Sequence, residues 1–400
     1  MIETLNLFEV PDRLVQPAQP TGSTIHLGDC LEVMKGLPDC SVDSIVTDPP
    51  YALEFMGAGW DSVLPPVEVW KECLRVAKPG AMLLAFGGTR TYHRLTCSIE
   101  DAGWQIRDCI MWVYGSGFPK SYNISKAIDK KAGAEREVIG TMKAKLPTSN
   151  GKFATDKWSV EAGKFHDIDV TAPATDLAKR WDGWGTALKP AWESIVVAMK
   201  PLDGTFANNA EKHGVAGLNI EGCRVGTETI TSVPTKASNT VMYAQDEFTK
   251  NNPIGEKKTS VGRWPSNLIH DGSEEATAGM GEKARYYYCA KASRAERNAG
   301  CGALEEKRVD TDFRQGGLAN PRDSGKYAVM HNSHPTIKPL ALMRYLVRLT
   351  ATPTGGIVLD PYCGSGTTGV ACKSEGREFV GIEMEPEYFE IAKARTGAGE

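Results

Sequence analysis

The chain has 400 residues, 41% of them hydrophobic, and a formal net charge of −4. That length and apolar content suffice for one large domain with insertions or for two domains, and the lack of any run of about 18 apolar residues argues against a membrane span. Ten cysteines are scattered singly with no Cys-x-x-Cys pair, which suits a reducing compartment and offers neither a disulfide framework nor a zinc pattern. Residues 1–19 hold acidic residues and prolines rather than a basic-then-apolar leader, so a cytoplasmic location is expected. Charge is uneven: residues 1–114 carry 8 basic and 15 acidic side chains, whereas residues 115–200 carry 14 and 10. Positive charge thus gathers in the middle of the chain, where nucleic-acid phosphates would be met.

In chain order, residues 23–28 read as a strand ending at Asp29 and 30–37 as a helix. Residues 44–47 form a buried strand that delivers Asp48 at its carboxyl end. Residues 65–77 form an amphipathic helix stopped by Lys78-Pro79-Gly80, and residues 81–86 a second apolar strand. A helix over 90–102 and a strand over 106–114 follow. After Gly115 the texture turns to Gly, Asn, Thr and Lys with weak periodicity, interrupted by the apolar strand 192–199. Regularity returns with a helix over 340–350, a strand over 356–359, a helix over 369–375, a strand over 379–382 and a helix over 386–395. Strands alternating with helices imply a doubly wound, mostly parallel α/β sheet, here written in two pieces with a large irregular insert.

Two motifs carry the chemistry. Asp48-Pro49-Pro50-Tyr51 follows a buried strand, so it belongs at the carboxyl edge of the sheet, where such folds bind ligands. Its prolines stiffen the loop and remove donors, leaving the Asp48 carboxylate and the Pro49 carbonyl as two adjacent acceptors for the two hydrogens of an exocyclic amino group. Tyr51 adds a flat face for a base. Near the other end, Asp360-Pro361-Tyr362-Cys363-Gly364-Ser365-Gly366-Thr367-Thr368 is a strand-to-helix turn whose glycines let a ligand approach the backbone. Glu383 closes the next strand, at the spacing of an acid that takes ribose hydroxyls. His334-Pro335-Thr336-Ile337-Lys338-Pro339 opens the preceding helix, and Thr336 with that helix N-terminus makes an anion-friendly site, with Lys338 as a helper.

These residues in this order resemble the amino-group DNA methyltransferases of the β class, which use S-adenosylmethionine. The resemblance covers residues 23–115, 188–200 and 331–395. It implies a Rossmann-like methyltransferase sheet with circularly permuted motif order: a catalytic half over 20–115, an insert over 116–187, a core strand over 188–200, a target-recognition region over 201–330, and a cofactor half over 331–400. It implies Asp48, Pro49, Pro50 and Tyr51 as the catalytic motif, and Asp360, Tyr362, Gly364, Ser365, Gly366, Thr367, Thr368 and Glu383 as cofactor residues. His334, Thr336 and Lys338 join the cofactor set. His26-Leu27-Gly28-Asp29-Cys30 is similar to the family's Gly-Asp element, with Asp29 accepting from the cofactor's adenine. Ala191-Trp192-Glu193 is similar to an Asn-x-His-Glu-like element, with Trp192 where His is common.

Within such a family, Asp before Pro-Pro-Tyr implies N6 of adenine as target, whereas Ser implies N4 of cytosine, the alternative reading. The partner implied is double-stranded DNA, with a homodimer expected because dimers are common in the class, and no metal. The large insert resembles those of phage and prophage enzymes, and a restriction–modification setting is expected. In the insert, Lys120-Ser121-Tyr122-Asn123, Arg180 to Gly185, Arg263-Trp264, Arg285 to Tyr288 and Lys291 to Asn298 interleave basic, polar and aromatic residues suited to phosphates and base edges. Cys289, Cys301, His331 and His334 match no familiar zinc spacing.

Overall fold

The computed structural model describes residues 22–53, 61–115, 121–145, 165–232, 258–277, 294–302, 304, 307–309, 328–332, 334 and 336–398. The first half runs β1 (Ser23–Leu27), α1 (Cys30–Lys35), β2 (Val42–Thr47), α2 (Val67–Val76), β3 (Ala77–Gly87), α3 (Tyr92–Asp101) and β4 (Gln105–Val113). Then come α4 (Ile124–Ala132), the hairpin of β5 (Val138–Lys145) and β6 (Phe165–Thr171), and α5 (Asp176–Arg180). β7 (Trp192–Met199) and α6 (Phe206–His213) precede a second hairpin, β8 (Val225–Ser232) with β9 (Lys258–Arg263), and the short β10 (Leu268–His270). Two short helices, α7 (Glu274–Thr277) and α8 (Arg294–Asn298), and the antiparallel pair β11 (Lys307–Val309) and β12 (Ala328–Met330) follow. The chain closes with α9 (Leu340–Leu349), β13 (Ile357–Asp360), α10 (Thr367–Ser374), β14 (Glu378–Glu383) and α11 (Pro386–Thr396).

Eight strands make one mixed sheet in the order β1-β14-β13-β2-β3-β7-β4-β10. All neighbours are parallel except β7, which runs against both β3 and β4. The two halves of the sequence therefore interleave: β13 and β14, from the C-terminal end, sit between β1 and β2. β2 is buried along its whole length, as a central strand covered on both faces must be. Its side chains alternate between two cores. Val46, Leu84, Phe86 and Ile195 pack beneath α9 and α10, while Ile45, Leu83, Ala85 and Val196 pack beneath α1, α2 and α3. The helices show why they dock: α2 buries Val69, Trp70, Cys73 and Val76, one stripe at helical spacing.

Two features depart from the sequence expectation. The strand expected over 81–86 begins at Ala77 and runs through Lys78-Pro79-Gly80. Ala77 pairs with Val42 and Met82 with Ser44, so the extra residues bulge out, and Gly80, at φ 77°, makes the bulge without a side-chain clash. Residues 268–270, within the segment expected to form the recognition region, instead extend the main sheet by pairing parallel to β4. Among the described residues, no helix is long and apolar enough to cross a membrane.

Candidate active site

The parallel strands β1, β2, β13 and β14 end on one edge of the sheet, and there a cavity of about 300 Å³ opens. Each strand delivers part of its wall: Asp29 and Cys30 after β1, Asp48 and Pro50 after β2, Asp360 to Thr368 around the turn after β13, and Glu383 at the end of β14. His334, Thr336 and Lys338 close one side. Of the cofactor residues expected from sequence, all but Gly366 line this cavity. Gly366 shapes the turn from behind, at φ 76° and with Ala392 packed where a side chain would stand. Gly364, at φ 53°, lets the His334 ring close on the loop; a Cβ there would lie 2.8 Å from Nε2. That ring also packs edge-on against Tyr388, with centroids 4.5 Å apart.

The turn is held from beneath by Asp360. Its carboxylate accepts from the Thr47 hydroxyl at 2.7 Å, the Thr368 hydroxyl at 2.5 Å and the Tyr362 N–H at 3.1 Å. Burial raises this carboxyl to about 7, against the opposing pull of those donors. Asp360 thus ties β2 to the turn after β13. Arg395 of α11 holds the turn from the other side, its guanidinium donating to the Ser365 carbonyl (2.6 Å), the Ser365 hydroxyl (2.9 Å) and the Thr367 hydroxyl (3.0 Å). Glu383 is also largely buried, which raises its carboxyl even though the backbone N–H of Glu385 donates to it at 2.8 Å. Asp29 lines the cavity while its Oδ1 caps α1, accepting from Leu31 N at 2.9 Å and Glu32 N at 3.1 Å.

Two groups beside this cavity also bond to other parts of the protein. The N-terminal Leu340 N–H of α9, expected with Thr336 and Lys338 to hold an anion, donates to the Glu296 carboxylate of α8. Lys338, expected as a helper at that anion, points its ammonium to Asp48 Oδ2 at 2.7 Å and to Glu193 Oε2 at 3.1 Å. The physical reason is burial: Lys338 is 11% exposed and sits over the Tyr51 and Phe86 rings, so its charge turns to the nearest carboxylates.

Asp48, Tyr51, Glu193 and Lys338 form one connected cluster. The Tyr51 hydroxyl lies 2.8 Å from Asp48 Oδ1, 3.0 Å from Glu193 Oε2 and 3.1 Å from the Lys338 ammonium. The loop that presents Tyr51 is pinned at its backbone: Tyr51 N donates to Asp61 at 2.6 Å, and its carbonyl accepts from Thr91 at 2.7 Å. Gly88 leaves room for the ring, since a Cβ there would come within 3.1 Å of it. Burial raises the Asp48 carboxyl, opposed by Lys338 and reinforced by Glu193. Burial alone would lower the Lys338 ammonium, but the two carboxylates outweigh it and raise it. Lysine therefore stays charged while two carboxylates share its one positive charge.

Sequence reasoning reached the motif residues but passed over the apolar wall Val63-Leu64-Pro65-Pro66, Tyr388, and Arg395 as a support of the turn. The double proline of the wall was a legible local signal; Arg395 gave none, because only packing aims it at the turn. Of the aromatic and basic residues singled out in the insert, Tyr122, Trp184 and Trp264 are exposed. Trp181 and Trp184 pack edge-on 5.4 Å apart, and the Arg224 guanidinium lies 5.5 Å from the Trp264 ring. Lys120, Arg285 to Tyr288, Lys291 to Ser293 and Cys289 lie outside the described residues.

Comparison with known proteins supplies the family. A DNA methylase family model, covering the N6 and N4 methylases, matches residues 42–394. The type II methyltransferase M2.DpnII of Streptococcus pneumoniae is 49% identical over 65 residues, 16% of this chain and 24% of that protein. M2.LlaDCHI of Lactococcus lactis subsp. cremoris is 47% identical over 66 residues, again 16% and 24%. The chain thus spans about a quarter of the length of the curated relatives it matches. Among solved structures, the M1.HpyAVI-SAM complex aligns over 93% of this chain and 98% of that one, at 19% identity and TM-score 0.39. The cytosine-N4-specific PvuII DNA methyltransferase aligns over 94% and 87%, at 14% identity and TM-score 0.43. With the family model spanning most of its length, the chain belongs to the N6/N4 DNA methylase family.

Proposed function

We propose that this protein is a site-specific DNA methyltransferase that moves a methyl group from S-adenosylmethionine to the N6 amino group of adenine in double-stranded DNA. The observation that carries the reading is the position of Asp48-Pro49-Pro50-Tyr51, whose Asp48 and Pro50 stand in the wall of the cavity built by the turn after β13. The Asp48 carboxylate thus borders a small-molecule site, with the Pro49 carbonyl next to it in the chain.

The cavity fits the cofactor. Its volume falls at the lower end of the roughly 300–1,000 Å³ usual for small-molecule sites. Its charge suits a cation, since Asp29, Asp48, Asp360, Glu383 and Glu385 line it against the single ammonium of Lys338. Glu383 would take ribose hydroxyls, Asp29 the adenine amino group, and the turn from Gly364 to Thr368 the remaining polar groups. Bound there, the cofactor supplies an electrophilic methyl group on a sulfonium.

The protein's own part is orientation. The target adenine leaves the duplex and stacks on Tyr51, a contact worth about 1–3 kcal/mol. Asp48 and the Pro49 carbonyl accept the two N6 hydrogens, which turns the nitrogen lone pair outward to the cavity, and Asp48 is placed to receive the proton that the amine releases. Holding reactants in this geometry is the main lever such a site has. On this reading Tyr122, Trp184 and Trp264, exposed in the insert, meet DNA outside the flipped base. On this reading the enzyme works on bacterial DNA in the cytoplasm, as a restriction–modification partner or a phage's own modification enzyme, and as a homodimer.

The test is transfer of labelled methyl from S-adenosylmethionine to unmethylated double-stranded DNA, followed by nucleoside analysis. N6-methyladenine is the expected product. N4-methylcytosine would keep the family and overturn the adenine reading, and no transfer to DNA would overturn the reading as a whole.

A further inference from the structure

Both oxygens of Asp48 already hold a donor in the structure, and a target amino group must share one of them. Its Oδ2 holds the Lys338 ammonium at 2.7 Å and its Oδ1 holds the Tyr51 hydroxyl at 2.8 Å. Each carboxylate oxygen can accept two hydrogens, so an incoming amino group joins a present occupant and competes with it for the oxygen's charge. An ammonium or a hydroxyl whose hold on its acceptor weakens in a site this buried is stabilised by a second acceptor within reach. Both occupants already touch a second carboxylate. Glu193 Oε2 stands 3.1 Å from Lys338 Nζ and 3.0 Å from the Tyr51 hydroxyl.

Glu193 is itself held firmly. It is the second residue of β7, in register with Trp112 of β4, and the Tyr114 hydroxyl hydrogen-bonds to it, with Asp271 adding a further negative charge near that tyrosine. The charged and titratable groups facing it are therefore Lys338, Asp48, Tyr51 and Tyr114, with Asp271 behind. Resting on the amino-methyl transfer proposed above, we infer that Glu193 is a positioning residue that takes over Lys338 and Tyr51 when the target amino group binds Asp48. The exchange moves no covalent bond: Asp48 passes its two donors towards Glu193 and accepts one amino hydrogen in return, the other going to the Pro49 carbonyl. Without Glu193, Lys338 locks Asp48.

The experiment compares wild-type protein, E193Q and the double variant E193Q/K338M, each as the full chain. Expected for E193Q is S-adenosylmethionine affinity within about twofold of wild type, with kcat/KM for DNA lowered about tenfold or more, because a neutral amide draws the ammonium away from Asp48 poorly. In E193Q/K338M the locking charge is gone, and kcat/KM is expected to recover by about threefold or more over E193Q. A purely structural role for Glu193 would make the double variant worse. E193Q as active as wild type, or a double variant no better than E193Q, overturns the inference while leaving the methyl-transfer reading intact. A wild-type protein that methylates no DNA overturns that reading and this inference with it.

Discussion

Arg395→Met separates the hold on the cofactor turn from the stability of the fold. Arg395 is 7% exposed and gives all three of its short donor contacts to Ser365 and Thr367. Methionine keeps the apolar stem and removes the charged fork. Hydrogen bonds from charged groups are worth about 1.5–3 kcal/mol each, so the gross loss is several kcal/mol. Against that, a buried guanidinium carries a desolvation penalty of several kcal/mol that the variant escapes; the same burial lowers the guanidinium's own pKa. The two nearly cancel, and global unfolding free energy is expected to change by about 1–2 kcal/mol at most.

The turn feels no such compensation, because Ser365 and Thr367 lose their anchor and must be ordered by the ligand. The expected result is an S-adenosylmethionine Kd raised about tenfold, equal to about 1.4 kcal/mol, with kcat at saturating cofactor little changed. Titration calorimetry reads the affinity and thermal unfolding reads the fold. A Kd equal to wild type alongside a large fall in Tm would refute the reasoning, since it would make Arg395 a packing residue only.

Asp48→Ala should abolish methyl transfer while leaving S-adenosylmethionine binding within about threefold, since Asp48 borders the cavity but the turn after β13 supplies most of the contacts; retained turnover would remove Asp48 from the chemistry. Asp360 has a native pKa of about 7, above the unfolded carboxylate, so its contribution to stability is complete below about pH 4 and lost as pH rises through about 7. Asp360→Asn should therefore flatten the fall in urea midpoint between pH 5 and 8, and an unchanged slope would contradict the assignment. Gly364→Ala places a Cβ 2.8 Å from the His334 ring at φ 53°, a conformation that costs a non-glycine residue about 1–2 kcal/mol. Cofactor affinity should fall several-fold, and calorimetry showing no change would mean that the loop is free to move away.

Much of this protein is written locally. Residues 44–47, Ser-Ile-Val-Thr, are short and mostly β-branched, so a strand ending at Asp48 follows from neighbours alone, and the same logic places Asp360 and Glu383 at strand ends. Because these strands run parallel, residues just past their ends must meet on one edge, which is why motifs more than 300 positions apart in the chain could be assigned to one cavity. Other features had no local trace. Lys338 reaches Asp48 across 290 positions, and Glu193 reaches Tyr51 across 142. Their side-chain directions depend on the register of β7 between β3 and β4 and on where α9 begins, neither of which a neighbouring residue reveals.

The strand through Pro79 and Gly80 is of the same kind: those residues read as a breaker until Val42 supplies a partner for Ala77. So is β10, whose three residues are too short to announce a strand and become one only because β4 offers an open edge. The sequence by itself determined which residues end the strands and hence which kinds of group line the cavity. The tertiary structure decided which of those groups touch, because charge pairing in a buried site is settled by burial and register rather than by position in the chain.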